Sequence, residues 1–573
     1  MSQWSFYPTR EDLAERLSQS LEISPLLGQL LVNRGVQDPA EARRFISPEL
    51  KDLHDPFLFK DMDLAAERVK AAIARGERIL VFGDYDVDGV SGTALLLQFL
   101  RFTRAKADFL IPNRLTDGYG LSPDAVRKIR ERNAQLVITV DNGVSAVEEI
   151  RELKRLGIDT VVCDHHQVGS ELPPAVAVLN HQRTDCEYPN KHLCGVGVAF
   201  KLCWAVAQRL SDHSRVKPEF RDFLLDAMAW VCLGTITDVV ELQGENRILA
   251  KYGLWAIQNS KSPGLKALLE VSGVKDRAVR SDDIGFRLGP RLNAAGRLGQ
   301  AEKAIRLLST SCPEEAKQLA GELEEANLSR REIERAILEH ARERVLSDPN
   351  HTRKGIFVLA DDEWHLGVVG IVAARLVDEF HRPTVLIAMD GETGRGSGRS
   401  IPGFDLHAAL CDAGEHMISF GGHPAAAGVH VARQSLEQLT RRLEEVAEER
   451  MKTASGPSLQ IDAEVRLPFV DDRLVRDIDR MNPFGMGNPR PVFASTRLKL
   501  AGQPRLVGRD SSHLMFLVNQ GPVTIKAIGF GMGEHCEKLQ SNGDSFSMAY
   551  TPVINEWRNR RTVELEVKDL RFD

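Results

Sequence analysis

The chain has 573 residues, 43 % of them hydrophobic and 27 % charged, with a net charge of −7. That length exceeds a single core and suits about three or four domains, and the acidic total confines any nucleic-acid contact to a local basic groove. No run approaches the roughly 18 apolar residues of a membrane span, and the start, MSQWSFYPTREDLAERL, lacks the basic and apolar build of a secretion signal.

Eight cysteines without a CxxC pair describe neither a disulfide framework nor a zinc cage, so a reducing cytoplasm is the expected compartment. Residues 1–55 read as a helical arm. ISPLLGQLLVNRG has helical spacing, and DPAEARRFI offers Asp38 as an N-cap followed by Pro39.

Within residues 56–311, RILVFGD, ADFLIP, QLVITVD and DTVVCD are short β-branched runs separated by helix-length stretches. They read as buried parallel strands of a doubly wound α/β sheet. Three of the four end in aspartate, at Asp84, Asp141 and Asp164, and such strand ends converge on one crevice.

Residues 312–350 form a long mixed-charge helix suited to connecting domains. A second α/β domain follows at 351–455, carrying two glycine-rich loops, GRGSGRS and FGGHPAAAG. From 456 to 573, RPVFAS, HLMFLV, VTIKAIGF, SFSMAYTPV and TVELEV predict a small β-barrel.

GDYDVDG begins like a calcium-binding EF-hand, D-x-D-x-D-G, but the twelfth position is Leu95 where a glutamate is needed, and a strand precedes it. The alternative is a metal centre assembled from several strand ends. VDNG, VVCDHH and LGTITDVV add Asp141, Asp164, His165, His166 and Asp238. Carboxylates with imidazole suit Mn²⁺ and tolerate Mg²⁺, and so many acids balance two ions better than one.

GDYDVDG, VDNG, DHH and Asp238, in this order and followed by both glycine loops, resemble the DHH phosphoesterase superfamily and its DHHA1 domain. The terminal barrel, ending in NEWRNRRTVELEVKD, is similar to an OB fold, and the whole arrangement resembles the single-strand-specific exonucleases of that superfamily. The resemblance implies that Asp86 and Asp141 hold one metal, and that Asp88, Asp141, His165 and Asp238 hold the other. Asp84 is then a further ligand or a carboxylate behind one; many members carry a histidine two residues earlier, where this chain has Phe82. Asp164 is expected to orient its neighbouring histidine, and His166 to contact the scissile phosphate or leaving oxygen.

Arg114 in NRLTDGYG, Arg291 and Arg297 in GPRLNAAGRLG, and Ser397 and Arg399 in GRGSGRS are candidate phosphate contacts. His423 is a phosphate contact or a structural histidine. Trp557, Arg558, Arg560 and Arg561 are candidates for binding single strands.

The implied activity is 5′-to-3′ hydrolysis of single-stranded DNA to mononucleotides in repair and recombination, by a monomer working with a helicase and a single-strand-binding protein. The alternatives are a phosphodiesterase for short oligonucleotides or cyclic dinucleotides, which usually lacks the barrel, and an inactive nucleic-acid-binding scaffold, which would have lost metal ligands.

Overall fold

The chain enters through a short strand, β1 (Gln3–Phe6), and three helices, Glu11–Leu21, Pro25–Asn33 and Pro39–Ile46. Asp38 caps the third, its Oδ1 accepting from the N–H groups of Ala40 and Glu41 at 2.9 and 3.1 Å. The computed structural model describes residues 3–211, 216–451, 456, 458–508, 511–557 and 560–572. It divides into two units, one uniting Met1–Leu53, Glu241–Lys251 and Pro457–Asp573, the other holding His54–Val240 and Tyr252–Gly456.

In the second unit, β2 (Arg78–Phe82), β3 (Lys106–Leu110), β4 (Leu136–Val140), β5 (Asp159–Cys163) and β6 (Ala177–Leu179) form an all-parallel sheet in the order β3-β2-β4-β5-β6. β4 is buried along its whole length, as an apolar run without alternation requires. From β2 the chain moves to one side for β3 and returns to the other side for β4. That reversal opens a crevice beyond the carboxyl ends of β2 and β4.

The helix Pro313–Ser347 follows, 35 residues without interruption. It leads to a mixed sheet of β7 (Phe357–Asp361), β8 (Thr384–Asp390), β9 (Thr393–Arg399), β10 (Ser419–His423) and β11 (Ala426–Ala432), in the order β10-β11-β9-β8-β7. Here the sequence reading needs correction, because GRGSGRS is not a loop but mostly strand β9, and FGGHPAAAG is the hairpin β10–β11. The glycines alternate for a packing reason. A Cβ at Gly396 would fall 2.5 Å from Leu386 O, and one at Gly398 2.7 Å from Leu406 Cδ2. The glycine face is pressed flat, and the period-2 geometry turns Arg395, Ser397 and Arg399 to the other face.

In the first unit, β12 (Ser458–Ile461) runs parallel to β1, with Gln3 opposite Ser458. β13 (Ala463–Glu464), β14 (Phe493–Leu500), β15 (Arg505–Val507), β16 (His513–Gln520), β17 (Val523–Gly529), β18 (Phe546–Trp557) and β19 (Arg560–Phe572) make up the terminal sheet. Its members β14, β18, β19, β17 and β16 close into a five-stranded ring when Lys499 of β14 pairs with Asn519 of β16. This is the OB-type barrel that the short strands predict. Its core continues into the first three helices, so that Leu17, Leu30 and Phe45 share one apolar cluster with Leu467, Phe493 and Phe546.

Candidate metal and phosphate site

The crevice at the ends of β2 and β4 gathers the acidic residues. Asp84 follows β2, Asp141 follows β4 directly, and Asp164, His165 and His166 follow β5, while Asp238 ends the helix Pro218–Thr237. Their ligand atoms fall into three interlocking groups, each within 4.8 Å: Asp84, Asp86 and Asp141; Asp88, His165 and Asp238; Asp141, His165 and His166.

Local backbone chemistry fixes each carboxylate. Asp86 caps the helix Val87–Phe102, its Oδ1 accepting from the N–H groups of Asp88 (3.0 Å) and Gly89 (3.2 Å). Asp88 is gripped at the start of the helix Gly195–Ser211, where Gly195 N–H donates to Oδ2 at 2.5 Å and Val196 N–H to Oδ1 at 2.9 Å. Asp141 adopts a left-handed backbone with φ of 63°, and its N–H donates to Cys163 O at 2.9 Å. A non-glycine residue in that region at a strand end is backbone strain concentrated at the site.

Two oxygens stand out, because Asp84 Oδ1 and Asp141 Oδ1 are buried and accept no hydrogen bond. His165 Nε2 lies 3.1 Å from Asp141 Oδ1, 3.7 Å from Asp238 Oδ2 and 3.9 Å from Asp88 Oδ2. Burial, reinforced by the neighbouring Asp86, pushes the Asp88 carboxyl up to about 7. Burial with Asp88 and Asp86 takes Asp238 to about 9. Asp84 and Asp141 are raised by the same two causes. Burial and the adjacent His166 hold His165 down to about 3, a neutral imidazole. Crowded, desolvated carboxylates around a neutral ring form a donor set whose repulsion a divalent cation relieves.

Asp164 differs from the other acids. Its Oδ1 accepts from His165 N–H (2.7 Å) and His166 N–H (3.2 Å) and lies 2.7 Å from His166 Nδ1. Its Oδ2 accepts from Val144 N–H at 2.9 Å. Burial is the largest single influence on Asp164 and opposes its ionisation, but the bond and charge of His166, the Val144 N–H and the charge of His165 together outweigh it and hold the carboxyl below its ordinary value. The side chain that Asp164 orients is therefore that of His166.

Tyr119 was not singled out from the sequence, although it shares the loop of Arg114. Its hydroxyl donates to the Asp141 carbonyl at 2.9 Å and sits 3.1 Å from His166 Nδ1.

A cationic cluster lies beside these acids. Arg114 stacks over the Tyr85 ring at 5.0 Å. Arg297 Nη1 donates to Gly367 O at 3.1 Å, and Arg399 Nη1 to Ser397 Oγ at 2.8 Å and Gly398 O at 2.7 Å. Burial, then the charges of Arg114, Arg330 and Arg399, lowers the Arg297 guanidinium to about 10. Among the described residues no carboxylate pairs with Arg114, Arg297 or Arg399. Gly370 makes room for Ser397 and Arg399, since a Cβ there would meet Ser397 Oγ at 2.9 Å and Arg399 Nη2 at 3.1 Å. His423 is exposed and shares a register line with Arg399 through Ala426.

Arg291 sits among other partners than these three arginines do. Its Nε is 2.5 Å from Glu324 Oε2 on the helix Pro313–Ser347, and its Nη1 donates to Arg287 O at 2.7 Å. The guanidinium is committed to that helix instead of to the arginine cluster. In the terminal hairpin Trp557 pairs in register with Arg560, while Arg558 lies outside the described residues. Arg561 Nε is 3.1 Å from Glu556 Oε1, an ion pair within the hairpin.

Among the described residues no helix is long and apolar enough to cross a membrane. Comparison with known proteins agrees with the fold. Residues 78–230 match the DHH family, N-terminal domain; residues 353–449 match the DHHA1 domain; and residues 461–569 match the RecJ OB domain. The single-stranded-DNA-specific exonuclease RecJ of Bacillus subtilis is 36% identical over 99% of this chain and 70% of its own length. The Escherichia coli protein of the same name is 35% identical over 98% of each chain. The crystal structure of RecJ from Thermus thermophilus in complex with Mn²⁺ superposes with a TM-score of 0.84 at 29% identity, covering 100% of this chain and 80% of that one. A complex of the Thermus protein with Mg²⁺ gives 0.78 at 28% identity, covering 100% and 78%. With three domain models matched in order and relatives aligned along nearly its whole length, the chain belongs to the RecJ family of DHH phosphoesterases.

Proposed function

We propose that the chain is a metal-dependent exonuclease that degrades single-stranded DNA from its 5′ end and releases 5′-mononucleotides, in repair and recombination. The observation that carries this reading is the interlocking set of carboxylates around Asp141, with two buried oxygens lacking partners, beside an arginine cluster lacking carboxylates.

The donor set, rich in carboxylate oxygen with one neutral imidazole, fits Mn²⁺ or Mg²⁺. Asp84, Asp86 and Asp141 would hold one ion, and Asp88, His165, Asp238 and the shared Asp141 the other. The orphaned Oδ1 of Asp84 favours a direct ligand over a supporting carboxylate. Such a pair lowers the pKa of a water for in-line attack and offsets charge on the phosphate oxygens.

The protein's own groups do the positioning. Asp164 fixes His166 through Nδ1, so the phosphate contact falls to Nε2. Ser397, Arg399, Arg297 and Arg114 hold the terminal 5′-phosphate, which sets the polarity of digestion. The five-stranded barrel favours long single strands over dinucleotides as substrate. The same reading has the chain working as a cytoplasmic monomer alongside a helicase and a single-strand-binding protein.

The test is degradation of 5′- and 3′-labelled single strands with Mn²⁺ or Mg²⁺. The wild type should release labelled mononucleotide first from 5′-labelled strands, and Asp141→Ala should lose about 10³-fold or more in rate. Undiminished cleavage by Asp141→Ala would remove the metal assignment.

A further inference from the structure

The metal loop and the arginine cluster are joined by one short helix, Gly289–Arg297. Gly289, Asn293 and Gly296 follow one another at spacings of four and three and so share one face. At its start the helix presses on the residue before Asp238, since a Cβ on Gly289 would fall 2.6 Å from Thr237 Cγ2. In its middle Asn293 Oδ1 accepts from the N–H of Val87, the residue between Asp86 and Asp88, at 3.2 Å. Near its end a Cβ on Gly296 would fall 2.3 Å from Tyr85 O.

Arg297, the last residue, is fixed from the other side. Its Nη1 donates to Gly367 O at 3.1 Å, and a Cβ on Gly367 would fall 2.2 Å from Arg297 O. Gly367 lies in the first turn of the helix Leu366–Phe380, the helix whose Gly370 abuts Ser397 and Arg399. Just past Arg297, a Cβ on Gly299 would fall 3.2 Å from the side chain of Asn113, the neighbour of Arg114.

We propose that Asn293 is a positioning residue that sets the register of cleavage, by tying the metal loop to the helix that carries Arg297 one turn later. This rests on the proposed 5′-phosphate pocket and mononucleotide product, and deepens both. Four residues separate Asn293 from Arg297, which is about 6 Å along the helix axis and about 40° around it. That rise matches the step between successive phosphates of an extended strand. A terminal phosphate at Arg297 therefore sets the next phosphodiester level with Asn293, where Val87 carries Asp86 and Asp88 on either side.

Asn293 acts through the loop. The four leading N–H groups of the helix Val87–Phe102 all have acceptors: Asp88 and Gly89 use Asp86 Oδ1, Val90 uses Asp86 O, and Val87 uses Asn293. Asp86 Oδ2 takes no part in this cap, which leaves it for an ion. Without Asn293 as acceptor the Val87 N–H turns to water or to the carboxylates, and the spacing between metal loop and phosphate contact slackens.

The experiment digests a single strand carrying a labelled 5′-phosphate with full-length wild type, Asn293→Leu, Asn293→Asp and Gly296→Ala in Mn²⁺, and sizes the labelled product. The wild type should release mononucleotide. Asn293→Leu, close in size but without the acceptor, should divide the label between mono- and dinucleotide, with kcat about tenfold lower and KM within about twofold. Gly296→Ala, which wedges Tyr85 off the helix, should give the same mixture. Asn293→Asp, which keeps an acceptor for Val87, should return mostly mononucleotide.

Two readouts need no turnover. The rise in Tm from Mn²⁺ should fall by about half or more in Asn293→Leu, while the rise from inorganic phosphate without metal should match the wild type. Mononucleotide as the sole labelled product of both Asn293→Leu and Gly296→Ala, at whatever rate, overturns the register role. An unchanged Mn²⁺ rise or a lost phosphate rise in Asn293→Leu does the same. A wild type that does not release mononucleotide from the 5′ end overturns the proposed function itself, and this inference with it.

Discussion

Asp164 accepts from three backbone N–H groups and holds the ring of His166, so one side chain ties the loop after β4 to the two histidines after β5. Replacing it with alanine would leave the N–H groups of Val144, His165 and His166 in a largely dry pocket without an acceptor. The expected cost is about 2–4 kcal/mol of stability, measured by urea denaturation, together with near-complete loss of nuclease activity. Asp141→Ala, by contrast, removes a carboxylate that accepts from no backbone N–H through its buried Oδ1 and whose near neighbour is His165 Nε2 at 3.1 Å, and it relieves crowding of like charge. It should lose activity at little cost in stability. A pair of variants that both fail catalysis but separate in stability would distinguish an acid that ligates from one that holds the site together.

At the scale of elements, close approach by glycine sets the geometry. A Cβ on Gly195 would fall 2.6 Å from Asp141 Cβ and 2.9 Å from Asp141 Oδ1. Gly195→Ala therefore forces the helix Gly195–Ser211 away and withdraws the amides that grip Asp88. We expect the rise in Tm that Mn²⁺ gives the wild type to shrink in this variant, with about 1–3 kcal/mol lost in the metal-free protein, as calorimetry with and without Mn²⁺ would show.

The contrast between these elements explains what the sequence reveals. Asp84, Asp141 and Asp164 are legible because buried parallel strands must deliver their ends to one edge of the sheet. Gly195 in LCGVGVAF is not legible, since an amide pair aimed at a carboxylate over a hundred residues earlier leaves no local pattern. The glycines of GRGSGRS read as a loop because a strand flattened against its neighbours has the composition of one. Arg291 and Arg297 could have been separated in advance. Six residues on a helix turn through about 600°, which places them on different sides. One accordingly meets Glu324 and the other Gly367.

At the scale of the whole molecule, the first unit is assembled from three distant stretches of chain. Arg34 and Asp462 meet inside it at 2.6 Å, with side chains 2 % and 4 % exposed. Asp462→Ala strands a buried guanidinium and should cost this unit about 3–5 kcal/mol, which calorimetry would register as a lowered transition. Arg247, also buried, reaches Phe45 O at 2.6 Å, Met481 O at 2.7 Å and Asn482 O at 2.8 Å. A single side chain from the middle segment thus satisfies carbonyls of the other two. No periodicity announces such a unit, because each of its segments looks locally like an arm, a helix start or a barrel.

The pairing of β1 with β12 also has a temporal side. The strand Gln3–Phe6 leaves the ribosome well before its hydrogen-bonding partner, Ser458–Ile461. At about 5–20 residues per second the intervening chain takes on the order of 20–90 s to synthesise. During that interval the leading helices carry Leu17, Leu30 and Phe45 without the barrel that buries them. This early-made segment is in this way among the last to reach its native environment, and its apolar faces stay exposed for that whole interval.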